Sequence, residues 1–184
     1  MIDSLYPPFR KWTERGALWI YSDPHFSDPE MVHLRKNYIG DDEQVARINS
    51  KVGKYDTIII LGDIGNVEVC RKIRGYKVLI MGNHDKGVSN YTDIFDEVYE
   101  GPLFIAEKLI LSHEPVDLPF AFNIHGHDHS YWFSADNHLN VCAEHIDYYP
   151  VNVNRLLKKG LCSGVDSIHR ITIDRAVEKN NRKE

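Results

Sequence analysis

Short apolar runs, each rich in β-branched or aromatic residues and each giving way to polar residues, set the strongest limit on how this chain can fold. They are Leu18-Trp19-Ile20-Tyr21, Thr57 to Leu61, Val78 to Met81, Leu109 to Leu111, Ala121 to Ile124 and Leu139 to Ala143. Runs this short with that composition read as buried strands rather than helices. Helical patterns lie between the early ones. Asp41 or Asp42 can cap a helix that puts Val45, Ile48 and Val52 on one face, and Asn66 can cap another that buries Val69, Cys70 and Ile73. Gly53 and Gly75 are placed to end them. Strand, helix, strand, helix, strand implies right-handed crossovers and a largely parallel first sheet, and the strand-dense second half supplies a second sheet packed against it. The fold class is therefore α/β, and the architecture a sandwich. Val153 to Lys159 reads as a further helix and Ser167 to Ile173 as a late strand.

A chain of 184 residues suits one domain, 1–184, with 1–16 read as an N-terminal extension and 176–184 as a polar tail. One domain must then hold the whole site. Formal net charge is −5, and the only Lys/Arg cluster is in the short tail, so a basic surface for tracking a nucleic-acid backbone is not apparent and long duplex partners are disfavoured. Cys70, Cys142 and Cys162 are odd in number and widely spaced, which argues against a disulfide framework and against a thiolate zinc site. With no secretory-type apolar core near the start and no run of membrane-spanning length, the expectation is a soluble protein of the reducing cytoplasm with no membrane partner.

The polar motifs at the strand ends carry the chemistry. They are Ser22-Asp23-Pro24-His25, Gly62-Asp63, Gly82-Asn83-His84-Asp85, Ser112-His113 and His125-Gly126-His127-Asp128-His129. Open α/β sheets bind ligands at the carboxyl ends of their strands, so separate segments can deliver these side chains to one cleft. Singly each motif is an ordinary turn or cap; together, in order and each after its own strand, they point to a metal site. Imidazole, carboxylate and an amide oxygen suit borderline divalent metals, whereas calcium prefers all-oxygen ligation. The candidate ligands Asp23, His25, Asp63, Asn83, His113, His127 and His129 exceed what one tetrahedral ion needs, and two ions sharing a carboxylate is the natural solution.

The series D-x-H, G-D, G-N-H-D, H and G-H-x-H resembles that of the calcineurin-like metallophosphoesterases, and it runs from Asp23 to His129, somewhat over half of the chain. The resemblance implies a four-layered αββα sandwich of two mixed sheets flanked by helices. It implies that Asp23, His25 and His129 hold one ion, that Asn83, His113 and His127 hold the other, and that Asp63 bridges them. Two divalent transition-metal ions are thus expected, with manganese the leading choice and iron, nickel or zinc the alternatives. The implied reaction is hydrolysis of a small phosphorylated substrate, a phosphodiester or a phosphomonoester, by a hydroxide between the ions. His84 would remain unligated and protonate the departing oxygen as general acid, and Asp85 would orient its ring.

Compact relatives often continue the first motif as H-F-G-H-x-N, whereas this chain reads His25-Phe26-Ser27-Asp28-Pro29-Glu30, so that loop's substrate contacts do not carry over. Asp28 and Glu30 either bring negative charge near a phosphate or cap the following turn; capping is the reading taken here. His125 reads as packed or supporting, and His33, His138, His145 and His169 as solvated or satisfied in the core. Glu144 and His145 can rim the cleft, and Tyr131-Trp132-Phe133 reads as hairpin core ahead of a nucleobase stack. Two other functions compete with the hydrolase: a catalytically weak metal-binding interaction scaffold and a nuclease.

Overall fold

The structure, a computed structural model, describes residues 5–35, 37–130 and 137–166. The expected strand from Ser167, together with His169, Tyr131-Trp132-Phe133 and the tail, lies outside the described residues. Two mixed sheets face each other across one apolar core. The five-stranded sheet has the order β4 (Glu97–Tyr99), β3 (Tyr76–Ile80), β2 (Thr57–Leu61), β1 (Leu18–Tyr21), β9 (Val151–Asn152), with every pair parallel except β1 with β9. The four-stranded sheet runs β5 (Leu103–Ala106), β6 (Leu109–Leu111), β7 (Phe122–His125), β8 (His138–Asn140), antiparallel only between β5 and β6. The α/β sandwich expected from the sequence is the one observed.

Continuous apolar runs mark the central strands because those strands are buried on both faces. Along β2, Ile59 and Leu61 enter the core between the sheets while Ile58 and Ile60 enter a second core under the helices. Leu18 and Ile20 of β1 likewise face the inter-sheet core, and Trp19 and Tyr21 face the other. Each fully buried Ile or Leu contributes about 1.5–3 kcal/mol, so these two faces dominate the stabilisation of the sandwich. Helix α2 (Asp41–Lys51) closes the second core with Val45, Ile48 and the following Val52. Helix α3 (Val153–Lys158), starting at an Asn152 cap that accepts from the Arg155 N–H, packs Val153 into the first.

Several local expectations change. Gly40, not Asp41 or Asp42, is the N-cap of α2; Asp41 stands in the first turn, where its charge suits the helix dipole, and its carboxylate accepts from the Ser27 N–H (2.8 Å) and Oγ (2.6 Å). Asn66 does cap its segment, accepting from the Glu68 N–H, but Val67–Lys72 is a 3-10 helix. Three residues per turn align Cys70 with Ile73, which still buries both. Strands β4, β5 and β9, all sheet edges, went unforeseen; β4 and β9 are only partly covered and lack a continuous apolar run, whereas β5, Leu103-Phe104-Ile105-Ala106, is a continuous apolar run that the sequence did display. The described part of the supposed N-terminal extension belongs to the core: Leu5 bridges Ala106, and Trp12 is buried with its Nε1–H donating to Glu97 (2.7 Å).

The two sheets are bridged just past the carboxyl end of β1. Ser22, just past β1, bridges Cys142 beyond β8, and the Ala143 N–H donates to the Ser22 carbonyl (3.0 Å). Carboxyl ends of strands from both sheets therefore meet at a single place. No helix among the described residues is long and apolar enough to cross a membrane.

Candidate metal centre

Residues after β1, β2, β3, β6 and β7 converge where the sheets meet. Backbone bonds zip the first two loops together: Asp23 N–H to Gly62 O (3.2 Å), His25 N–H to Asp63 O (3.0 Å) and Phe26 N–H to Ile64 O (2.9 Å). Asp23, His25, Asp63 and His127 all have positive φ, between 45° and 69°. Non-glycine residues rarely adopt this left-handed conformation, and its concentration at four members of one cluster is the pattern of a site that overrides local preference. Close approach is bought with glycine at Gly126, where a Cβ would stand 1.9 Å from Ser22 Oγ and 2.1 Å from Asp23 Oδ2. Gly82 is similar, with Asp63 Oδ1 2.3 Å from the position of a Cβ.

The side chains fall into two sets. Asp23 is fully buried, and its Oδ1 has no hydrogen-bond partner. That oxygen lies 3.4 Å from His129 Nε2 and 3.9 Å from His25 Nε2, which is itself buried without a partner. In the second set Asn83 Oδ1, His113 Nε2 and His127 Nδ1 stand 2.9, 3.1 and 3.2 Å apart. His113 Nδ1–H donates to the Leu61 carbonyl (2.8 Å), so its Nε2 presents a lone pair. Asp63 Oδ2 reaches one member of each set, 3.6 Å from His25 Nε2 and 3.5 Å from His113 Nε2.

Asp23, His25, Asp63 and His113 are buried, and buried acceptors gathered this closely need a positive centre among them, while Asn83 and His127 complete the cluster from the exposed side. Ligand atoms about 2.1 Å from a cation stand roughly 3.0–3.4 Å from one another; the second set, at 2.9–3.2 Å, is close to that spacing, and the first, at 3.4 and 3.9 Å, is somewhat wider. Asp23 with Asp63 and His113, and Asp23 with His129 and Cys142, each bring donor atoms within 4.8 Å, so the buried Asp, His and Cys groups can hold a metal ion. All seven residues named from the sequence as candidate ligands are brought together, and the His84 ring stays apart on an exposed face, its centroid 6.2 Å from that of His25.

Asp85 is a correction. Its carboxylate accepts from the N–H groups of Asp63 (2.9 Å), Ile64 (3.0 Å) and Gly82 (2.8 Å) and from the Tyr91 hydroxyl (3.0 Å), and it makes no bond to His84. Its acceptor capacity is spent on tying the Asp63 loop to the Asn83 loop, so it positions backbone rather than imidazole. Asp28 does cap locally, accepting from the Glu30 N–H (2.9 Å), and it also lies 3.5 Å from His25 Nδ1. His125 is buried as expected, with Nδ1–H donating to the Gly126 carbonyl (2.9 Å), and burial lowers its pKa.

Four participants had no role assigned at the centre from the sequence. Arg35, just past helix α1 (Met31–Leu34), is buried, donates to the Asp23 carbonyl (3.1 Å) and places Nη2 within 3.1 and 3.3 Å of the two ring nitrogens of His129. A single Arg after a four-residue helix carries no pattern that separates it from a solvated cation. Cys142, set aside with the other thiols, directs Sγ to Asp23 Oδ2 (3.3 Å); burial and then the Asp23 charge push its pKa up, so the free thiol donates. Ser22 Oγ also bonds Asp23 Oδ2. Glu144, read only as cleft rim, accepts from His129 Nδ1–H (2.7 Å) and pairs with Arg35 (3.2 Å). Burial would raise its pKa, but His129 and Arg35 outweigh that and hold it below the ordinary 4.5. The pKa of His25 is lowered by burial first and then by Arg35, against the pull of Asp23 and Asp63, which keeps a lone pair available at neutral pH.

Beside the cluster opens a cleft of about 700 Å³ floored by His25, Asp63, His84 and His129. Asp28, Glu30 and Lys86 stand in its charged walls, and Met31 and Leu34 supply apolar lining.

No family model matches the chain, and no curated protein does. Among solved structures, the crystal structure of the protein of unknown function AQ665 from Aquifex aeolicus is similar, with a TM-score of 0.66 and 24% sequence identity over 77% of this chain and 98% of that one. That likeness concerns the fold.

Proposed function

We propose that this protein is a metal-dependent phosphoesterase of the calcineurin-like kind, hydrolysing a small phosphodiester or phosphomonoester. The observation that carries the reading is the pair of facing lone-pair sets with Asp63 Oδ2 between them, 3.6 Å from one and 3.5 Å from the other. Asp23, His25 and His129 would hold one divalent ion and Asn83, His113 and His127 a second, manganese being favoured over iron, nickel or zinc. Two such ions would lower the pKa of a shared water from about 15.7 toward roughly 7 and offset charge on the phosphoryl oxygens.

The chain's own groups do the rest. His84 is exposed in the cleft, and its N–H donates to Asp63 Oδ1 (3.1 Å), so its backbone is registered to the bridging carboxylate. Its imidazole is the group suited to protonate the departing oxygen. The cleft's 700 Å³ matches a small-molecule site rather than a duplex groove. Free thiols at Cys70, Cys142 and Cys162 suit a reducing cytoplasm. The test is turnover of bis(4-nitrophenyl) phosphate and 4-nitrophenyl phosphate by protein stripped with chelator and reloaded with manganese, iron, nickel or zinc. Metal-restored hydrolysis of either ester is expected. Absence of turnover with every metal would sink the reading and leave an interaction scaffold in its place.

A further inference from the structure

Glu144 and Arg35 come from segments remote from the ligand motifs, yet both end on His129. Glu144 Oε1 lies 2.7 Å from His129 Nδ1, and Glu144 Oε2 lies 3.2 Å from Arg35 Nη1. An ionised carboxylate accepts only, so His129 Nδ1 must carry the proton in that bond. This leaves the lone pair on Nε2, 3.4 Å from the partnerless Asp23 Oδ1 and 3.3 Å from Arg35 Nη2, the one ring nitrogen to which that N–H can donate until an ion takes the lone pair. Arg35 is locked in turn, its side chain 3% exposed and its Nη1 donating to the Asp23 carbonyl (3.1 Å) as well as pairing with Glu144. One guanidinium therefore ties the backbone of one candidate ligand to the carboxylate that orients another. In the other set the orienting bond comes from backbone, the Leu61 carbonyl accepting from His113 Nδ1–H, and among the described residues neither Glu144 nor Arg35 bonds that set.

We infer that Glu144 and Arg35 are positioning residues for one metal ion only, the one held by Asp23, His25 and His129, with Glu144 fixing the His129 tautomer and Arg35 fixing Glu144. The inference rests on the metal-site reading above. A carboxylate behind a ligating histidine fixes ring orientation and raises ligand basicity, and its loss typically costs about 10–100-fold in metal affinity. Because the pair touches one set, the loss should be one-sided.

The experiment is calorimetric titration of the metal-stripped full chain with cobalt(II) alone, alongside the visible absorption of the bound ion, for wild type, Glu144→Ala, Glu144→Gln and Arg35→Lys. Wild type is expected to bind two ions. Glu144→Ala should weaken one of them roughly 10–100-fold while the other keeps its affinity. Glu144→Gln, whose amide oxygen can still accept from Nδ1–H, should recover part of the loss, and Arg35→Lys should weaken the same ion. Thermal melts of the metal-free variants separate a folding defect from a ligand defect. Equal weakening of both ions in Glu144→Gln and Arg35→Lys, or wild-type binding of both in Glu144→Ala, overturns the assignment. A wild type that binds no cobalt overturns the metal site itself and this inference with it, whereas two bound ions without hydrolysis would overturn only the proposed activity.

Discussion

Gly126→Ala is predicted to collapse the centre while leaving every candidate ligand in the sequence. A Cβ at this position would stand 1.9 Å from Ser22 Oγ and 2.1 Å from Asp23 Oδ2, and real Cβ contacts are essentially never under 3.0 Å. Asp23 must therefore retreat by on the order of 1 Å in a packed interior that yields little. It cannot do so freely, because Oδ2 accepts from the His127 N–H (2.9 Å), Cys142 Sγ (3.3 Å) and Ser22 Oγ. Overpacking costs about 1–3 kcal/mol, and a hydrogen bond to a charged acceptor is worth about 1.5–3 kcal/mol. Both terms come from one displacement and do not simply add, so a loss of about 3 kcal/mol is expected. For a domain of this length that lowers the melting temperature by roughly 6–12 °C. Gly87→Ala is the control, since nothing lies within 4 Å of a Cβ there. Circular-dichroism melts of both variants in chelator, followed by elemental analysis after manganese loading, make the comparison. If Gly126→Ala melts with the control and holds full metal, the loops accommodate a methyl group and the argument from close approach is wrong.

Asp63→Asn removes the carboxylate whose Oδ2 lies within 3.6 Å of a member of each set, so metal content is expected to fall from two ions toward one and activity to drop sharply; unchanged elemental analysis would refute the bridging assignment. His84→Ala should keep its metal yet lose on the order of 10²–10⁴-fold in rate on alkyl esters and far less on nitrophenyl esters, whose leaving group needs no proton. Equal losses on both, together with loss of an ion, would make His84 a ligand instead. Burial, reinforced by neighbouring His138, lowers the pKa of His125 from its ordinary 6.5 despite the bond to the Gly126 carbonyl. The unfolded chain therefore takes up a proton first, and stability present above pH 6.5 is lost as pH falls toward the folded-state value. Melts of metal-free protein between pH 7.5 and 5 should show that decline, and His125→Asn should flatten it; an unaltered slope in the variant would remove burial of His125 as its cause.

What the sequence determined by itself was whatever depends on local repetition. Strands buried on both faces, such as Thr57–Leu61, announce themselves as unbroken β-branched runs, and their ends are marked by Gly-Asp and Gly-Asn-His-Asp. All seven candidate ligands were nameable for that reason, each standing within a few residues of a strand's carboxyl end. Tertiary structure alone decided the rest. Strands β4 and β9, three and two residues long, are held by a partner on one side only, so their own residues carry little pattern. Asp85 follows a ligand motif in sequence, yet its carboxylate is claimed by three backbone N–H groups from two loops, a destination no spacing encodes. Arg35, Glu144 and Cys142 act at the centre because the carboxyl ends of β1 and β8 meet through Ser22 and Cys142. Residues separated by more than a hundred positions become neighbours only when the two sheets close on each other. Their chemistry is a property of the packed sandwich and not of any segment within it.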